Sequence, residues 1–428
     1  MKKVLFVLAG LFVFGLLSLG LVAACVVHTG QRFSLQLDEQ ATRAEDHPIA
    51  IASGQTLRID LPGGDVRLRA GDAAAGISAR ITAWGATKEE AEAVLERSRL
   101  DVAESASGVT VSLHGRATKE GFFGSEHMEA KADLEIALPP GVQLEIESGS
   151  GDVVAAGPFG PSKVHSSYGS VRVERVDGDV SAASSSGDVV VQGVHGKSIE
   201  ALSGYGKVQV SGSESTAVHA KSGSGDVRVE DVRAERVRIE SGYGTVEIAR
   251  VDGEIEATTS SGDVDAKKLG GPAASLSTSY GRVQIDGAKG KLTVSSSSGD
   301  VRVADFEGSI DARSGYGTVQ VTGVLEALAA QSSSGDVSVS AKAGSAVAST
   351  WKIASSYGRG MIELPADLAF DIDARTNYGK IERGFPVELS PGKDDRAAQS
   401  VQGKVHGGGG RIEIRCKSGD IVFRPSGP

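Results

Sequence analysis

Cysteine is almost missing from this chain: only Cys25 and Cys416 occur in 428 residues. A disulfide-stapled scaffold is therefore excluded. Aromatic residues make up only 5 %, so the composition does not resemble a row of ordinary globular domains. A basic surplus is also missing. The net charge is −10, falling to −12 for the body from Cys25 onward once Lys2 and Lys3 are gone. That sign disfavours nucleic acid, which needs a basic footprint, and electrostatic adhesion to anionic lipid. The eight histidines (28, 47, 114, 127, 165, 195, 219 and 406) show no metal-ligand spacing. Gly407 to Gly410 lacks the Lys-Ser/Thr of a phosphate-binding loop. Asp and Glu are spread along the chain without the clustering that a polysaccharide-cleaving groove needs. No catalytic residue, metal site or cofactor is predicted.

Glycine is abundant. Its 57 residues are nearly twice the average usage of about 7 %. A Gly-rich and Val-rich chain without proline runs reads as many short strands joined by many turns.

The first 24 residues read as a signal peptide or membrane anchor. Lys2 and Lys3 precede an uncharged run from Val4 to Val27. The run ends in Leu21-Val22-Ala23-Ala24-Cys25, which resembles a lipobox and implies cleavage and lipidation at Cys25. The same run is long enough to span a bilayer uncut, and plain secretion is the third outcome. All three place the body in the cell envelope, outside the cytoplasm. Val26, which is not acidic, implies the outer membrane of a double-membraned cell by resemblance to the lipoprotein sorting rule.

One glycine recurs at 151, 169, 187, 206, 225, 244, 262, 281, 299, 317, 335, 358, 379 and 419. Most steps are 18 or 19 residues, and the last three are longer, so loops are inserted near the C-terminal end. Aliphatic residues stand two and four places after this glycine, as in Val227 and Val229, and seven and five places before it, as in Val218 and Ala220. Apolar residues at i and i+2 give a strand with one buried face. About 18 residues cannot bury a core alone, but stacked copies can. The predicted fold is all-β: a single-chain parallel β-helix or solenoid of 18–19-residue rungs over 141–428. A small α+β cap with the first strands covers 55–140, and 25–54 is a linker. The gap before Gly419 leaves room for one degenerate copy around Ser390 to Gly410.

Three columns support stacking in register. Three places before the glycine stands Ser or Thr, replaced by Cys416 in the last copy, where a ladder of neighbouring hydroxyls is predicted. One place before it, Ser alternates with Tyr, and all seven tyrosines of the protein fall here: Tyr168, Tyr205, Tyr243, Tyr280, Tyr316, Tyr357 and Tyr378. One place after it, Asp alternates with a neutral or basic residue, which keeps like charges off adjacent rungs. In the cap, Thr87 and Glu90 form a capping box ahead of the apolar stripe Ala91, Val94 and Leu95, so a helix starts there.

The segment Leu134 to Ile146, followed by Ser148-Gly149-Ser150-Gly151-Asp152-Val153, together with the recurrent Ser-Gly-Asp-Val, resembles the bacterial putative-adhesin family of unknown function with β-strand repeats. The resemblance covers roughly residues 55 to 425 and implies a right-handed β-helix-like body in the envelope. It carries over no catalytic motif and no ligand.

Two of the columns have a structural and a ligand-binding reading. The Asp column is a structural turn feature rather than a calcium ladder, because aspartates about 10 Å apart cannot share one ion. The tyrosine column is a turn-packing ladder or a sugar-stacking platform. The predicted function is a non-catalytic surface scaffold or adhesion-type protein that binds a glycan or an envelope protein through a solenoid face. The alternative is an envelope-stress or regulatory module that binds a membrane partner, and a polysaccharide-active β-helix enzyme is a distant third.

Overall fold

The computed structural model describes residues 39–71, 74–114, 116–121, 124–389 and 399–426. The N-terminal run and Cys25 lie outside the described residues. Between 143 and 425 the chain winds as a parallel β-solenoid, each rung pairing in register with the next. Val189 lies opposite Val208, Val208 opposite Val227, and Val227 opposite Val246.

Each rung is built the same way. After the turn glycine, the first strand points its second and fourth residues inward, as Val227 and Val229, both fully buried. The chain then bends sharply at the sixth residue. Arg175, Asp231, Arg250, Lys268 and Asp305 sit there with φ between 48° and 57°. Gly193, Gly212 and Gly287 occupy the same place with φ of 66°, 57° and 80°. This left-handed corner turns the next residue inward, and Val176, Val194, Val232, Val251, Leu269 and Phe306 form a third buried column. The second strand then buries a pair such as Val237 and Ile239 before the next turn. Burying a Val or Ile side chain contributes about 1.5–3 kcal/mol, so each rung's aliphatics support the rungs on both sides.

The turn glycine is demanded by closeness. A Cβ on Gly169 would lie 1.8 Å from the carbonyl oxygen of Gly151. The predicted ladder of hydroxyls is corrected here: the hydroxyls bond to backbone, not to each other. Ser184 Oγ donates to the carbonyl of Gly169 on the preceding rung (2.8 Å) and accepts the N–H of Gly187 on its own rung (2.8 Å). The same pair of bonds recurs from Ser166 to Ser355 and at Thr376. A carbonyl and an N–H in each buried turn are thereby satisfied.

At the N-terminal end, Thr56–Leu61 and Val66–Ala70 make one further rung, paired in parallel with Gln143–Ser148 and Val153–Phe159. Gly108–His114 and Lys131–Leu138 pair with the other edges of those strands. Antiparallel strands then close the end: Arg99–Ser105 on one side and Gly76–Gly85 on the other. The expected linker is corrected in part, because its residues Glu39–Pro48 form a strand on the outside of Gly76–Gly85. The helix Lys88–Arg97 is capped by Thr87, whose hydroxyl accepts the Glu90 N–H, and it buries Ala91 and Val94.

The C-terminal end departs from sequence order. Trp351–Ser355 pairs with Gly410–Cys416, not with Phe370–Thr376, and Phe370–Thr376 pairs with the far edge of Gly410–Cys416. The last rung in sequence is thus inserted between the two before it. A Cβ on Gly419 would meet the Gly358 carbonyl, and one on Gly379 would meet the Gly419 carbonyl. No degenerate rung fills the described part of 390–410. Instead, Ser400–Val405 runs antiparallel along the outer edge of Phe370–Thr376. That covers a strand edge which would otherwise invite pairing with another chain.

Candidate binding face along the tyrosine edge

The two columns flanking the turn glycine form one edge of the solenoid. All seven predicted tyrosines lie on it, each 71–83 % exposed. Among the described residues, the only other exposed large hydrophobic side chain is Leu389, at 46 %. The phenol oxygens have no hydrogen-bond partner among the described residues, and the intervening Ser residues are exposed too. A ring that is nearly three-quarters exposed contributes little to packing, so the turn does not require it.

Insertion of the last rung restores the alternation that sequence order breaks. Read through space, the C-terminal end of the column runs Ser334, Tyr357, Ser418, Tyr378. The residues one place after the glycine follow suit as Asp336, Arg359, Asp420, Lys380. Tyrosines therefore stand on every second rung, about 10 Å apart at about 4.8 Å per rung.

The aspartates have a definite task. Asp188 Oδ1 accepts the N–H of Lys207 on the next rung (2.7 Å), and Asp226, Asp263, Asp300, Asp336 and Asp420 do the same for Thr245, Arg282, Thr318, Arg359 and Lys380. Each carboxylate thereby ties its own rung to the next. Two also form ion pairs, Lys207–Asp226 at 3.6 Å and Arg282–Asp263 at 3.2 Å. Among the described residues, no group of three or more His, Cys, Asp or Glu is placed to hold a metal ion.

Two other surfaces were not anticipated from sequence. A shallow groove of about 830 Å³ runs over the second strands, lined by His219, Arg236, Arg238, Glu254, Glu256 and Lys291. Within it Arg238 pairs with Glu256, and also with Glu240 beside it. Near the C-terminal end, Arg313, Arg375, Arg415 and Lys417 flank small residues that include Ala354 and Ser356. Arg411, Arg415 and Arg375 converge on the buried Asp373 at 2.6, 3.0 and 3.1 Å. Burial alone would raise the Asp373 carboxyl, but the Gln402 hydrogen bond and the arginines outweigh it and hold it down at about 2. This cluster joins Phe370–Thr376 to Gly410–Cys416, so it clasps the inserted rung. No signal marked it in the sequence, because Asp373 and its arginine partners Arg411 and Arg415 lie on separate rungs. Cys416 is buried and free, and burial pushes its thiol up in pKa. The described residues contain no helix long and apolar enough to cross a membrane.

No curated relative matches the chain. Among solved structures it is similar to a "putative cell adhesion protein" from Clostridium sporogenes ATCC 15579. That match is 8 % identical, covers 90 % of this chain and 100 % of the other, and has a TM-score of 0.18. A "putative adhesin" from Parabacteroides distasonis ATCC 8503 is 12 % identical over 69 % of this chain and 93 % of its own, with a TM-score of 0.27. Another from Bacteroides fragilis NCTC 9343 is 11 % identical over 90 % and 97 %, with a TM-score of 0.20. At these scores the neighbours bear on neither ligand nor mechanism. The model of one family matches twice, over residues 55–270 and 254–423, and so takes in nearly all of the solenoid and its N-terminal end. This chain belongs to the Toastrack DUF4097 family.

Proposed function

We propose that this chain is a non-catalytic binding protein of the cell envelope, and that the tyrosine edge is its binding face, presented to a glycan or an envelope protein. One observation carries the reading: every tyrosine of the protein stands in a single exposed file. Exposed aromatic side chains aligned in one place mark interaction surfaces on otherwise polar proteins. Tyrosine suits the task, since it offers apolar area and a polar tip at little conformational cost. In this proposal lipidation at Cys25, or retention of the run before it, holds the solenoid to a membrane.

The test exploits the alternation. Serine already occupies the same place on every second rung, so Tyr205→Ser, Tyr243→Ser and Tyr280→Ser combined should leave the melting temperature within about 2 °C. Binding to isolated cell envelopes of the source bacterium should weaken at least tenfold. A large drop in melting temperature with unchanged binding would make the tyrosines a packing ladder and end this reading.

A further inference from the structure

The tyrosine edge is self-complementary. Fourteen rungs carry it, seven with Tyr and seven with Ser, and the alternation is unbroken in space. If the edge served only as a stacking platform, a ring on every rung would cover it better. The alternation instead leaves slots. Two tyrosines about 10 Å apart leave room for one further ring, at about 5 Å from each neighbour, which lies in the preferred range for aromatic pairs.

We propose that this edge docks against the same edge of a second copy of the chain, antiparallel, with each tyrosine entering a serine slot of the other molecule. This rests on the reading of the edge as a binding face and names its partner. A twofold axis lying in the interface and perpendicular to the solenoid axis brings each column onto its own counterpart. The column begins with Ser150 and ends in space with Tyr378. Full antiparallel overlap therefore puts every tyrosine rung on a serine rung.

The charged column meets itself in the same register. Arg282 of one copy faces Asp263 of the other, Lys207 faces Asp336, Arg359 faces Asp188 and Lys380 faces Asp152. The remaining aspartates, Asp226, Asp300 and Asp420, face Thr318, Thr245 and Ser170. No two acids are opposed. Parallel in-register docking would set ring on ring and acid on acid, and like charges directly opposed repel. Fourteen rings each losing about 100 Å² bury on the order of 1,400 Å² in total, within the range of a stable specific interface. The interface is isologous, so it closes as a pair and does not grow into a fibre.

The test uses the full chain in detergent. Sedimentation equilibrium should give a dimer, and Tyr243→Ser with Tyr280→Ser should raise its dissociation constant at least tenfold. Register is read by oxidation. In the double variant Tyr243→Cys/Ser298→Cys the two sites are three rungs apart within a chain but opposed between chains. It should form a dimer-sized disulfide product at several times the yield of either single variant. The double variant Tyr243→Cys/Ser334→Cys, two rungs out of register, should not exceed those singles. A monomer at all concentrations, or equal cross-linking in both double variants, overturns the proposal. If the chain is monomeric and the Tyr→Ser variant loses binding to purified insoluble peptidoglycan, a glycan occupies the edge and the binding-face reading stands without a second copy. If neither property responds to the tyrosines, both readings fall.

Discussion

The middle of the solenoid and its C-terminal end obey one set of columns by different routes. From Val189 to Ser332 each rung pairs with its neighbours in sequence, and chain order equals spatial order. From Trp351 onward the chain steps over one place, adds an outer rung, and returns to fill the gap with Gly410–Cys416 and Ile421–Pro425. Yet tyrosine still alternates with serine, and acid with base. The difference teaches that the alternation answers to neighbours in space and not to a copying period along the chain. It also shows what each end needs. The middle rests on aliphatic ladders with a hydroxyl bond in each turn, a carboxylate bond at every second rung and exposed ion pairs, whereas the returning rung is also clasped by the buried Asp373 and three arginines.

The largest effect should come from breaking the ladder in the middle. Val227 is fully buried, and Val227→Asp places a carboxylate in the aliphatic column. We expect a loss above about 4 kcal/mol, enough to unfold the central rungs. Asp226→Ser, one residue away in the turn, should cost about 1 kcal/mol, for the one hydrogen bond its carboxylate accepts from the Thr245 N–H. Thermal melts of the two variants compare the inner and outer columns directly, and equal losses would mean the faces are reversed.

The second effect belongs to the C-terminal end. Asp373→Asn should cost about 2 kcal/mol at neutral pH, because the charged partner of three arginines is removed. The sign follows from the lowered carboxyl. Its folded-state value of about 2 lies below the ordinary carboxylate range, so its contribution is complete above about pH 4 and is lost as the pH falls through about 2. The gap between wild type and Asp373→Asn should therefore shrink over that window in urea titrations.

Cys416→Ser should give a smaller gain of about 1 kcal/mol. Elsewhere in this column a hydroxyl bonds the preceding rung's glycine carbonyl, but the Cys416 sulfur lies 4.0 Å from the Asp420 carbonyl instead. Denaturant midpoints decide it, and a loss would show that the sulfur packs better than the hydroxyl bonds. The smallest effect is expected at the corners. Lys268 holds a left-handed φ of 54° that glycine takes up without strain, so Lys268→Gly should stabilise by about 0.5–1 kcal/mol. A midpoint lowered by the full entropic cost of glycine, about 0.5–1 kcal/mol, would show that the corner carries no strain.

Much of the fold was legible because its columns repeat in residue type. The turn glycines, the inward valines and the Ser/Tyr alternation each show at a fixed spacing. The corner residues did not show. Arg175, Gly193, Asp231 and Lys268 share a backbone conformation but no side-chain chemistry, so no column appears in the letters. The inserted rung was also hidden, since strand order is decided by which edge the returning chain meets. A clue was present: Tyr378 follows Tyr357 with no serine rung between them, and Ser418 is left over. The expected linker concealed the strand Glu39–Pro48, whose inward side shows only one buried alanine before Pro48. The exposure of the tyrosines was not legible either, because a period places a residue in a column without saying how far its ring lies from its neighbours.

The order of the C-terminal rungs is the point on which the spatial alternation stands, and one disulfide experiment decides it. In-register neighbours on adjacent rungs are about 4.8 Å apart, within reach of a disulfide, while residues two rungs apart at about 10 Å are beyond it. Tyr357→Cys/Ser418→Cys should oxidise to an intramolecular disulfide that peptide mapping identifies, and Tyr357→Cys/Tyr378→Cys should not. The opposite pattern would mean that the rungs stack in sequence order and that the alternation breaks where the chain turns back.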